Sequence, residues 1–381
     1  MTGLSESTSA NRPAARAGSS ATIPVPGEKR VFMTGNEVVA WAAIAARADI
    51  MYGYPITPQN EVMHYWTRLA PKFGKEFLQT EDELAAGFTT IGGVLAGKKA
   101  FTATAGPGNI LMQEPASMAE MMRLPVVVVI MQRGGPSTAT VIYSQQEVIL
   151  TTFGGNGEGF RIVYSTSGLQ ELYDYTIKAF NTAWRYRFPV FVLADGYQAK
   201  MREPLTIYDP LARGMELVPP EQYVGRPGMP GVDRPPGHYR NTYNTEEELY
   251  EILQGHVQEY ERVAPEIMEH ESLETEDADL LIIAHGVVGR AAKQAVEQLR
   301  EEGLKVGCFR PVTLRPLSAG ALRDAVSRAK RILVVESAYG QLGKLVRDAL
   351  CGLVVEMFSL YKPGVGVTPE EVVIRSKELI A

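Results

Sequence analysis

Hydrophobic and polar positions along the chain follow two periods, one typical of helices and one typical of buried strands. Between residues 34 and 48, apolar and alanine positions recur at helical spacing behind a polar start at Thr34 or Asn36. Residues 125–131 form a continuous Val/Ile-rich run, which is typical of a strand buried on both faces. The same patterns predict helices over 60–69, 81–95, 110–122 and 169–185, and strands over 50–54, 76–79, 99–103, 161–164 and 189–194. This alternation predicts a parallel α/β sheet with helices on both faces.

The pattern changes in kind after residue 204. Proline and glycine crowd residues 205–243, and this density of breakers predicts a long irregular crossing loop. A polar helix is predicted over 245–270, and a second, smaller α/β unit begins near Asp277. Its predicted strands are 280–284, 305–309 and 331–336, and its predicted helices are 289–302 and 319–329.

Four regions follow from this organisation. Residues 1–27 are rich in Ser, Ala, Thr and Pro and lack the apolar segment of a secretory signal, so we expect a flexible extension. Residues 28–204 form the main α/β domain. Residues 205–276 supply the crossing loop and a linker helix, and residues 277–381 form the smaller domain.

Composition narrows the classes of function. Of 381 residues, 45% are hydrophobic and 22% are charged, which is the profile of a globular protein. The balance of 38 basic against 44 acidic residues gives a net charge of −6, so no basic face is expected to neutralise nucleic-acid phosphates. No apolar run approaches the ~20 residues that a spanning helix needs. We therefore expect neither nucleic acid nor a membrane as a partner.

The cysteine content limits redox and metal chemistry. Cys308 and Cys351 are the two cysteines of the chain, and they stand far apart in the sequence. Two isolated thiols provide neither a disulfide framework nor the ligands of an iron–sulfur cluster. The five histidines show no pair at metal-ligand spacing, so no metal site is predicted. The cysteine usage favours a reducing, cytoplasmic setting.

The most specific motif is the segment 53–58, which reads Gly-Tyr-Pro-Ile-Thr-Pro between a predicted strand and a predicted helix. Pro55 and Pro58 fix the backbone, and Thr57 presents a hydroxyl just before a helix N-terminus. This combination suits the binding of a carboxylate. A rigid turn without a ligand is the alternative interpretation.

Three acids, Glu81, Asp82 and Glu83, begin the next predicted helix. Favourable interaction with the helix dipole would account fully for the first two. Glu83 lies in register with small residues on the close-packed side of the helix, where an acid needs a partner. The glycine pair Gly92-Gly93 follows about nine residues later, where we expect a close approach between the helix and another backbone.

That spacing of an acid, small residues and a glycine resembles the activating-glutamate helix of thiamine-diphosphate enzymes. With its surroundings, it resembles the α subunit of 2-oxoacid:ferredoxin oxidoreductases, most closely the 2-oxoglutarate enzymes, over residues 31–204. Weaker similarity continues through Glu336-Ser337 and Gly340-Gln341. The motifs that carry the resemblance are Tyr54-Pro55-Ile56-Thr57-Pro58, Glu81-Asp82-Glu83 with Ala85-Ala86, Ala96-Gly97-Lys98, Thr102-Ala103-Thr104 with Gly106-Pro107-Gly108, and Gly135-Pro136-Ser137-Thr138.

The resemblance implies a fold and a set of partners. It implies a pyrimidine-type thiamine-diphosphate-binding domain followed by a domain like the C-terminal domain of transketolase. A partner β subunit is then expected to hold the diphosphate and Mg²⁺, because Ala194-Asp195-Gly196 lacks the rest of a diphosphate motif. The [4Fe-4S] cluster is also expected in a partner, because two isolated cysteines cannot hold one. A γ subunit, a ferredoxin-like subunit, coenzyme A as co-substrate and ferredoxin or another acceptor are also implied.

The resemblance also assigns roles to residues. Glu83 corresponds to the catalytic glutamate that hydrogen-bonds the aminopyrimidine ring of the cofactor, with Glu81 as the second choice. Thr57 and Arg133 correspond to substrate-binding positions. The remaining cofactor contacts implied are Tyr54, Pro55, Ile56, Gly106, Pro107 and Gly108.

Several alternatives stay open at this stage. Arg133 follows a strand, and a solvated charge there is the plain interpretation of that position. The segment 139–147 departs from the pattern of relatives, which usually carry Gln-x-Asp where this chain has Gln145-Gln146-Glu147. The expected activity is the oxidative decarboxylation of a 2-oxoacid, with 2-oxoglutarate favoured, or the reverse carboxylation. Pyruvate, branched-chain and aryl 2-oxoacids, a non-oxidative thiamine-dependent decarboxylase and a non-catalytic scaffold are the alternatives.

Overall fold

The computed structural model describes residues 25–225 and 239–380, so most of the extension predicted over 1–27 lies outside the described residues. In chain order the strands are β1 (Lys29–Thr34), β2 (Ile50–Gly53), β3 (Glu76–Gln79), β4 (Ala100–Thr104), β5 (Val127–Gln132), β6 (Ile162–Ser165), β7 (Val190–Asp195), β8 (Arg202–Ile207), β9 (His270–Leu273), β10 (Leu280–Ile283), β11 (Val306–Pro311), β12 (Thr313–Arg315), β13 (Arg331–Glu336) and β14 (Glu356–Tyr361). The α-helices are α1 (Gly35–Ala45), α2 (Asn60–Leu69), α3 (Glu83–Leu95), α4 (Pro107–Leu111), α5 (Gln113–Met122), α6 (Val148–Phe153), α7 (Leu169–Tyr186), α8 (Gly196–Lys200), α9 (Glu246–Ile267), α10 (Gly286–Glu301), α11 (Ala319–Arg328), α12 (Gln341–Ala349) and α13 (Pro369–Ile380).

Seven strands form the main sheet, in the order β12-β6-β7-β5-β4-β2-β3. All neighbouring pairs are parallel except β12 with β6. All six residues of β5 are buried, which confirms the strand predicted to be covered on both faces. Its alternate residues divide between two cores, because side chains of a strand point to opposite faces. Val127, Val129 and Met131 pack with α1, α2 and α7, whereas Val128 and Ile130 pack with α3 and α5.

A five-stranded sheet, in the order β14-β13-β10-β11-β9, forms the second unit. Its strands are parallel except for β9, which is antiparallel to β11. One face packs with α10 and α13 around a core of its own. The other face contributes Leu281, Ile283 and Val334 to the same core as α3 and α5 of the first unit. The two sheets therefore share a hydrophobic core.

Two short strands cross the boundary expected near residue 277. β9 lies in the region assigned to the linker, yet it forms the edge of the second sheet. β12 lies in the region assigned to the smaller domain, yet it completes the first sheet by pairing with β6. Both are antiparallel edge strands of four residues or fewer, which are too short to give a clear periodic pattern.

The predicted irregular segment over 205–243 begins too early. Residues up to Ile207 belong to β8, which pairs antiparallel with β1. A 3₁₀ turn over Pro210–Arg213 follows. The strand forms because β1, about 170 residues earlier in the chain, offers an edge for it to pair with. The number of proline and glycine residues in a segment does not reveal such a distant partner. Residues 226–238 of the predicted loop lie outside the described residues.

The single helix predicted over 110–122 is two helices, α4 and α5, that meet at Met112. α4 begins at Pro107, a residue well suited to the first helical position because its missing N–H has no partner there in any case. None of the helices in residues 25–225 and 239–380 combines the length and the apolar character of a membrane span.

Candidate active site

The segment 53–58 forms a tight connection from the end of β2 to α2. The Thr57–Pro58 bond is cis. The Pro58 carbonyl accepts a hydrogen bond from Asn36 Nδ2 at 2.7 Å, and Gln59 Nε2 donates to the Tyr54 carbonyl at 2.8 Å. Thr57 itself is exposed, so its side chain is available at the carboxyl edge of the sheet, where open α/β folds bind ligands.

Glu83 occupies the first turn of α3, and Asp82 is the residue that caps this helix. Asp82 Oδ1 accepts a hydrogen bond from the Ala85 N–H at 2.7 Å. The Glu83 side chain points into the protein and is 5% exposed, whereas Glu81 lies exposed at the surface. Burial raises the pKa of the Glu83 carboxyl above its ordinary value. The hydrogen bond that acts on the pKa of this carboxyl comes from the backbone N–H of Glu83 itself.

Gly93, not Gly92, makes the close approach expected along α3. A Cβ at Gly93 would lie 2.8 Å from the Tyr52 ring and 2.9 Å from Ala100 Cβ, whereas a Cβ at Gly92 would meet nothing within 4 Å. The contact is therefore with side chains of β2 and β4. Gly87 brings α3 against α5, because a Cβ there would lie 2.3 Å from Pro115 Cγ.

The turn from β4 to α4 lies directly against Glu83. Gly106 adopts a φ of +53°, which favours glycine, and Gly108 lies in the first turn of α4. A Cβ at Gly108 would lie 2.1 Å from Thr104 Oγ1 and 2.5 Å from Glu83 Oε1. Thr104 Oγ1 is buried without a hydrogen-bond partner. A buried hydroxyl without a hydrogen-bond partner and a buried carboxyl thus lie on either side of a position that has no side chain.

Arg133 is 6% exposed, so the interpretation as a solvated charge is wrong. Its guanidinium donates to the Thr57 carbonyl at 2.8 Å, to the Thr140 carbonyl at 3.1 Å and to the Thr138 carbonyl. A Cβ at Gly106 would lie 2.6 Å from Arg133 Cδ. The structure therefore brings Thr57, Gly106 and Arg133 together at one sheet edge, beside the turn that contacts Glu83.

Two polar residues of this region have no role in the sequence analysis. Glu147 is buried and its carboxylate accepts hydrogen bonds from the N–H groups of Gly106 and Arg133. Asn109 donates to the same carboxylate. One feature of the sequence could have drawn attention to Glu147. Residues 139–147 depart from the usual pattern of relatives, and this segment follows the expected substrate-binding residue Arg133.

Comparisons with known proteins show the family of the chain. The family model described as pyruvate flavodoxin/ferredoxin oxidoreductase, thiamine diP-bdg, matches residues 41–272. The chain belongs to this family. A second model, described as pyruvate:ferredoxin oxidoreductase core domain II, matches residues 278–372. The predicted resemblance and the predicted oxidoreductase class are both confirmed.

Curated relatives match over most of the chain. The 2-oxoglutarate synthase subunit KorA of Methanothermobacter thermautotrophicus is 35% identical, covering 90% of this chain and 96% of the relative. The ketoisovalerate oxidoreductase subunit VorB of Methanothermobacter marburgensis is 33% identical, covering 84% of this chain and 89% of the relative.

Solved structures confirm the predicted fold class. The 2-oxoglutarate:ferredoxin oxidoreductase from Magnetococcus marinus, with 2-oxoglutarate, coenzyme A and succinyl-CoA bound, superimposes with a TM-score of 0.82 and 29% identity. The match covers 92% of this chain, which spans 65% of that protein's chain. A split-gene transketolase superimposes with a TM-score of 0.56 at 14% identity, over 91% of this chain and 97% of that chain, and shares the fold.

Proposed function

We propose that this chain is the α-type subunit of a 2-oxoglutarate:ferredoxin oxidoreductase. The reaction is the oxidative decarboxylation of 2-oxoglutarate to succinyl-CoA and CO₂ with reduction of ferredoxin, or its reverse. The observation that carries the proposal is the buried Glu83 carboxyl, with a raised pKa, against the Gly106–Gly108 turn. The relatives named 2-oxoglutarate synthase, and the solved enzyme with 2-oxoglutarate bound, support the choice of substrate.

The residues around Glu83 fit the aminopyrimidine half of thiamine diphosphate. When bound, this cofactor supplies the nucleophilic carbon that attacks the 2-oxo group and accepts the electron pair left by CO₂. Burial raises the pKa of the Glu83 carboxyl, and this carboxyl would hydrogen-bond a ring nitrogen of the bound cofactor. Thr104 Oγ1 lies unpaired beside it, and the missing Cβ of Gly108 leaves room for a ring. Tyr54, Pro55, Ile56, Gly106 and Pro107 are the further cofactor contacts that the resemblance implies.

Arg133 and Thr57 are proposed to bind the 2-oxoacid. A guanidinium has five N–H donors, and three of those on Arg133 are used by the carbonyls of Thr57, Thr138 and Thr140. Two donors are left for a substrate carboxylate. The exposed Thr57 hydroxyl supplies a further donor at the same edge.

The remaining functions are proposed to lie in partner subunits. Cys308 is buried, and burial raises the pKa of its thiol to about 12, so it is poorly suited to ligate a metal as a thiolate. In residues 25–225 and 239–380, no group of three or more His, Cys, Asp or Glu side chains is placed to hold a metal ion. We therefore assign Mg²⁺ and the diphosphate site, together with the [4Fe-4S] cluster, to a β subunit. A γ subunit and a ferredoxin-like subunit complete the complex in the cytoplasm.

A branched-chain 2-oxoacid is the second candidate substrate. The VorB relatives are named ketoisovalerate oxidoreductase subunits and are 32–33% identical, close to the KorA relatives. Pyruvate and aryl 2-oxoacids belong in the same substrate panel.

The test is to purify the full chain with its partner subunits and to measure thiamine-dependent, coenzyme A-dependent dye reduction. Turnover of 2-oxoglutarate, with iron–sulfur absorbance in the visible spectrum, is the expected result. Preferential turnover of 2-ketoisovalerate would mean that the substrate is a branched-chain 2-oxoacid and not 2-oxoglutarate. Decarboxylation without dye reduction would contradict the proposed reaction.

Glu83→Gln in the same complex tests the catalytic role. The amide keeps the shape but cannot exchange a proton with a ring nitrogen as a carboxyl can, so we expect turnover to fall by about 100-fold or more. Glu81→Gln is the matched control, because Glu81 is exposed two residues earlier and should keep wild-type turnover. The assignment fails if the two variants retain equal activity.

A further inference from the structure

Glu147 connects the two loops that form the candidate site. Its side chain is buried, and Oε1 accepts hydrogen bonds from the N–H groups of Gly106 and Arg133, each at 2.9 Å. Oε2 accepts a hydrogen bond from Asn109 Nδ2 at 2.9 Å. Gly106 and Asn109 flank the turn after β4, and Arg133 follows β5. One carboxylate therefore holds the ends of two neighbouring strands in a fixed relation.

The residues beside Glu147 are held by the second sheet and its helices. Gln145 Nε2 donates to the His285 carbonyl at 2.8 Å, and its Oε1 accepts from the Ser337 N–H at 2.9 Å. Gln341 Nε2 donates to the Gln146 carbonyl at 2.7 Å. Gln341 Oε1 also accepts from the N–H of residue 149 at 2.9 Å. His285 directly precedes α10, Ser337 directly follows β13, and Gln341 begins α12, so the position of Glu147 is set from outside the first sheet.

We infer that Glu147 is a positioning residue for 2-oxoacid binding, and that the second unit sets its place through Gln145 and Gln146. The inference rests on the proposed function, since Arg133 and the Gly106 turn are the groups proposed to contact substrate and cofactor. Glu147 does not itself reach the substrate. It acts by fixing the Arg133 backbone and the Gly106 turn.

The chemistry of the contacts requires a carboxylate. Glu147 meets three donors, and a carboxylate accepts through both oxygens. A glutamine there could direct its oxygen at the Gly106 and Arg133 N–H groups only by turning its own NH₂ toward Asn109 Nδ2. The two NH₂ groups would then face each other. Turning the Asn109 amide over would remove this conflict but would break the hydrogen bond that Asn109 Oδ1 accepts from Gln113 Nε2 at 2.9 Å. Each arrangement loses a buried hydrogen bond.

The test compares Glu147→Gln with Glu147→Asp in the full chain assembled with its partner subunits. For Glu147→Gln we expect kcat/KM for 2-oxoglutarate to fall by about 10- to 100-fold, mostly through KM, because the substrate-binding groups are misplaced. Glu147→Asp keeps the charge and both acceptors and should restore most of this loss. Glu120→Gln is the matched control. Glu120 is also buried and accepts from the Phe160 N–H and from Arg161, but it does not touch the site loops.

Amide hydrogen exchange of the same assembled variants gives a readout that needs no turnover. We expect faster exchange in peptides that contain Gly106 and Arg133 for Glu147→Gln, and wild-type exchange there for Glu120→Gln. An unchanged KM with unchanged exchange at both amides would overturn the inference. If the wild-type complex turns over no 2-oxoacid, the proposed function fails separately, and the exchange rates still decide whether Glu147 fixes these loops. If Glu147→Gln does not assemble, Gln145→Ala decides, because Gln145 holds the segment that carries Glu147 through the His285 carbonyl and the Ser337 N–H. We expect a raised KM and faster exchange at both amides in that variant, and wild-type values for both would overturn the inference.

Discussion

At the scale of single residues, the most informative contact is that between Gly108 and Glu83. Any side chain at residue 108 would occupy the space beside the Glu83 carboxyl and the unpaired Thr104 hydroxyl. The glycine is therefore required for the shape of the site as well as for the turn. Burying a carboxyl carries an energetic cost, and such costs are characteristic of functional positions.

Gly108→Ala should remove activity in the assembled complex. The new methyl group would lie 2.1 Å from Thr104 Oγ1 and 2.5 Å from Glu83 Oε1, so the carboxyl or the turn must move. We expect turnover to fall by about 100-fold and thermal stability to drop by about 1–3 kcal/mol. Gly92→Ala is the stability control, since nothing lies within 4 Å of its new methyl group. Wild-type turnover in Gly108→Ala would contradict the proposed place of the cofactor ring.

Helical register was sufficient to predict that Glu83, and not Glu81, points into the protein. Register could not show that Arg133 contacts the carbonyl of Thr57, which lies 76 residues away in the sequence. It also could not show that Glu147 joins two loops. These contacts depend on which strands are neighbours in the sheet, and a single sequence carries no local pattern for that order.

At the scale of elements, the end of β7 combines a strand terminus with the cap of a short helix. Asp195 Oδ1 accepts a hydrogen bond from the Gln198 N–H at 2.8 Å and thereby caps α8. Asp195 is buried, and burial raises the pKa of its carboxyl to about 7. The acid considered in the sequence as part of an incomplete diphosphate motif is thus a helix cap.

Asp195 should make the stability of the full chain depend on pH. The pKa of this carboxyl is higher in the folded chain than in the unfolded chain, so its stabilising contribution is complete at low pH and is lost as pH rises toward 7. Asp195→Asn retains the cap and cannot ionise. We expect the variant to match the wild type in denaturant unfolding at pH 4 and to be more stable than the wild type at pH 8. An equal difference at both pH values would contradict this expectation.

The element boundaries were most predictable where proline or glycine flanks a periodic segment, as Pro58, Pro71 and Gly74 do. The helix predicted over 60–69 and the strand predicted over 76–79 coincide with α2 and β3. The short elements α6 and β12 were not predicted. A six-residue helix and a three-residue edge strand are stabilised by packing against distant parts of the chain, and neither is long enough to show a period.

At the scale of the whole molecule, buried hydrogen bonds join the two sheets. Gln145 is 1% exposed and bridges the His285 carbonyl and the Ser337 N–H. No pattern in the sequence indicated this link, because each partner lies more than 100 residues from Gln145. The two units are therefore coupled through polar contacts as well as through their shared hydrophobic core.

Gln145→Ala should weaken this coupling. The change leaves a buried carbonyl and a buried N–H without partners, and we expect the free energy of unfolding to fall by about 1–3 kcal/mol. Calorimetry of the full chain should also resolve separate transitions for the two units. Gln170→Ala serves as the control, because Gln170 bonds to Asp174 and Thr206 within the first unit and should leave the number of transitions unchanged. A single, unshifted transition in Gln145→Ala would contradict the coupling.

The place of β12 has a consequence for synthesis of the chain on the ribosome. β6 pairs with β7 on one side, but its other edge is completed by residues 313–315, which are translated about 150 residues later. During that interval the first sheet has an unpaired edge, a surface that invites pairing with other chains. In a separately made fragment of residues 1–277, that edge would stay unpaired until residues 313–315 are supplied by the second fragment. We therefore expect the two halves to require joint synthesis, even though family models recognise them separately.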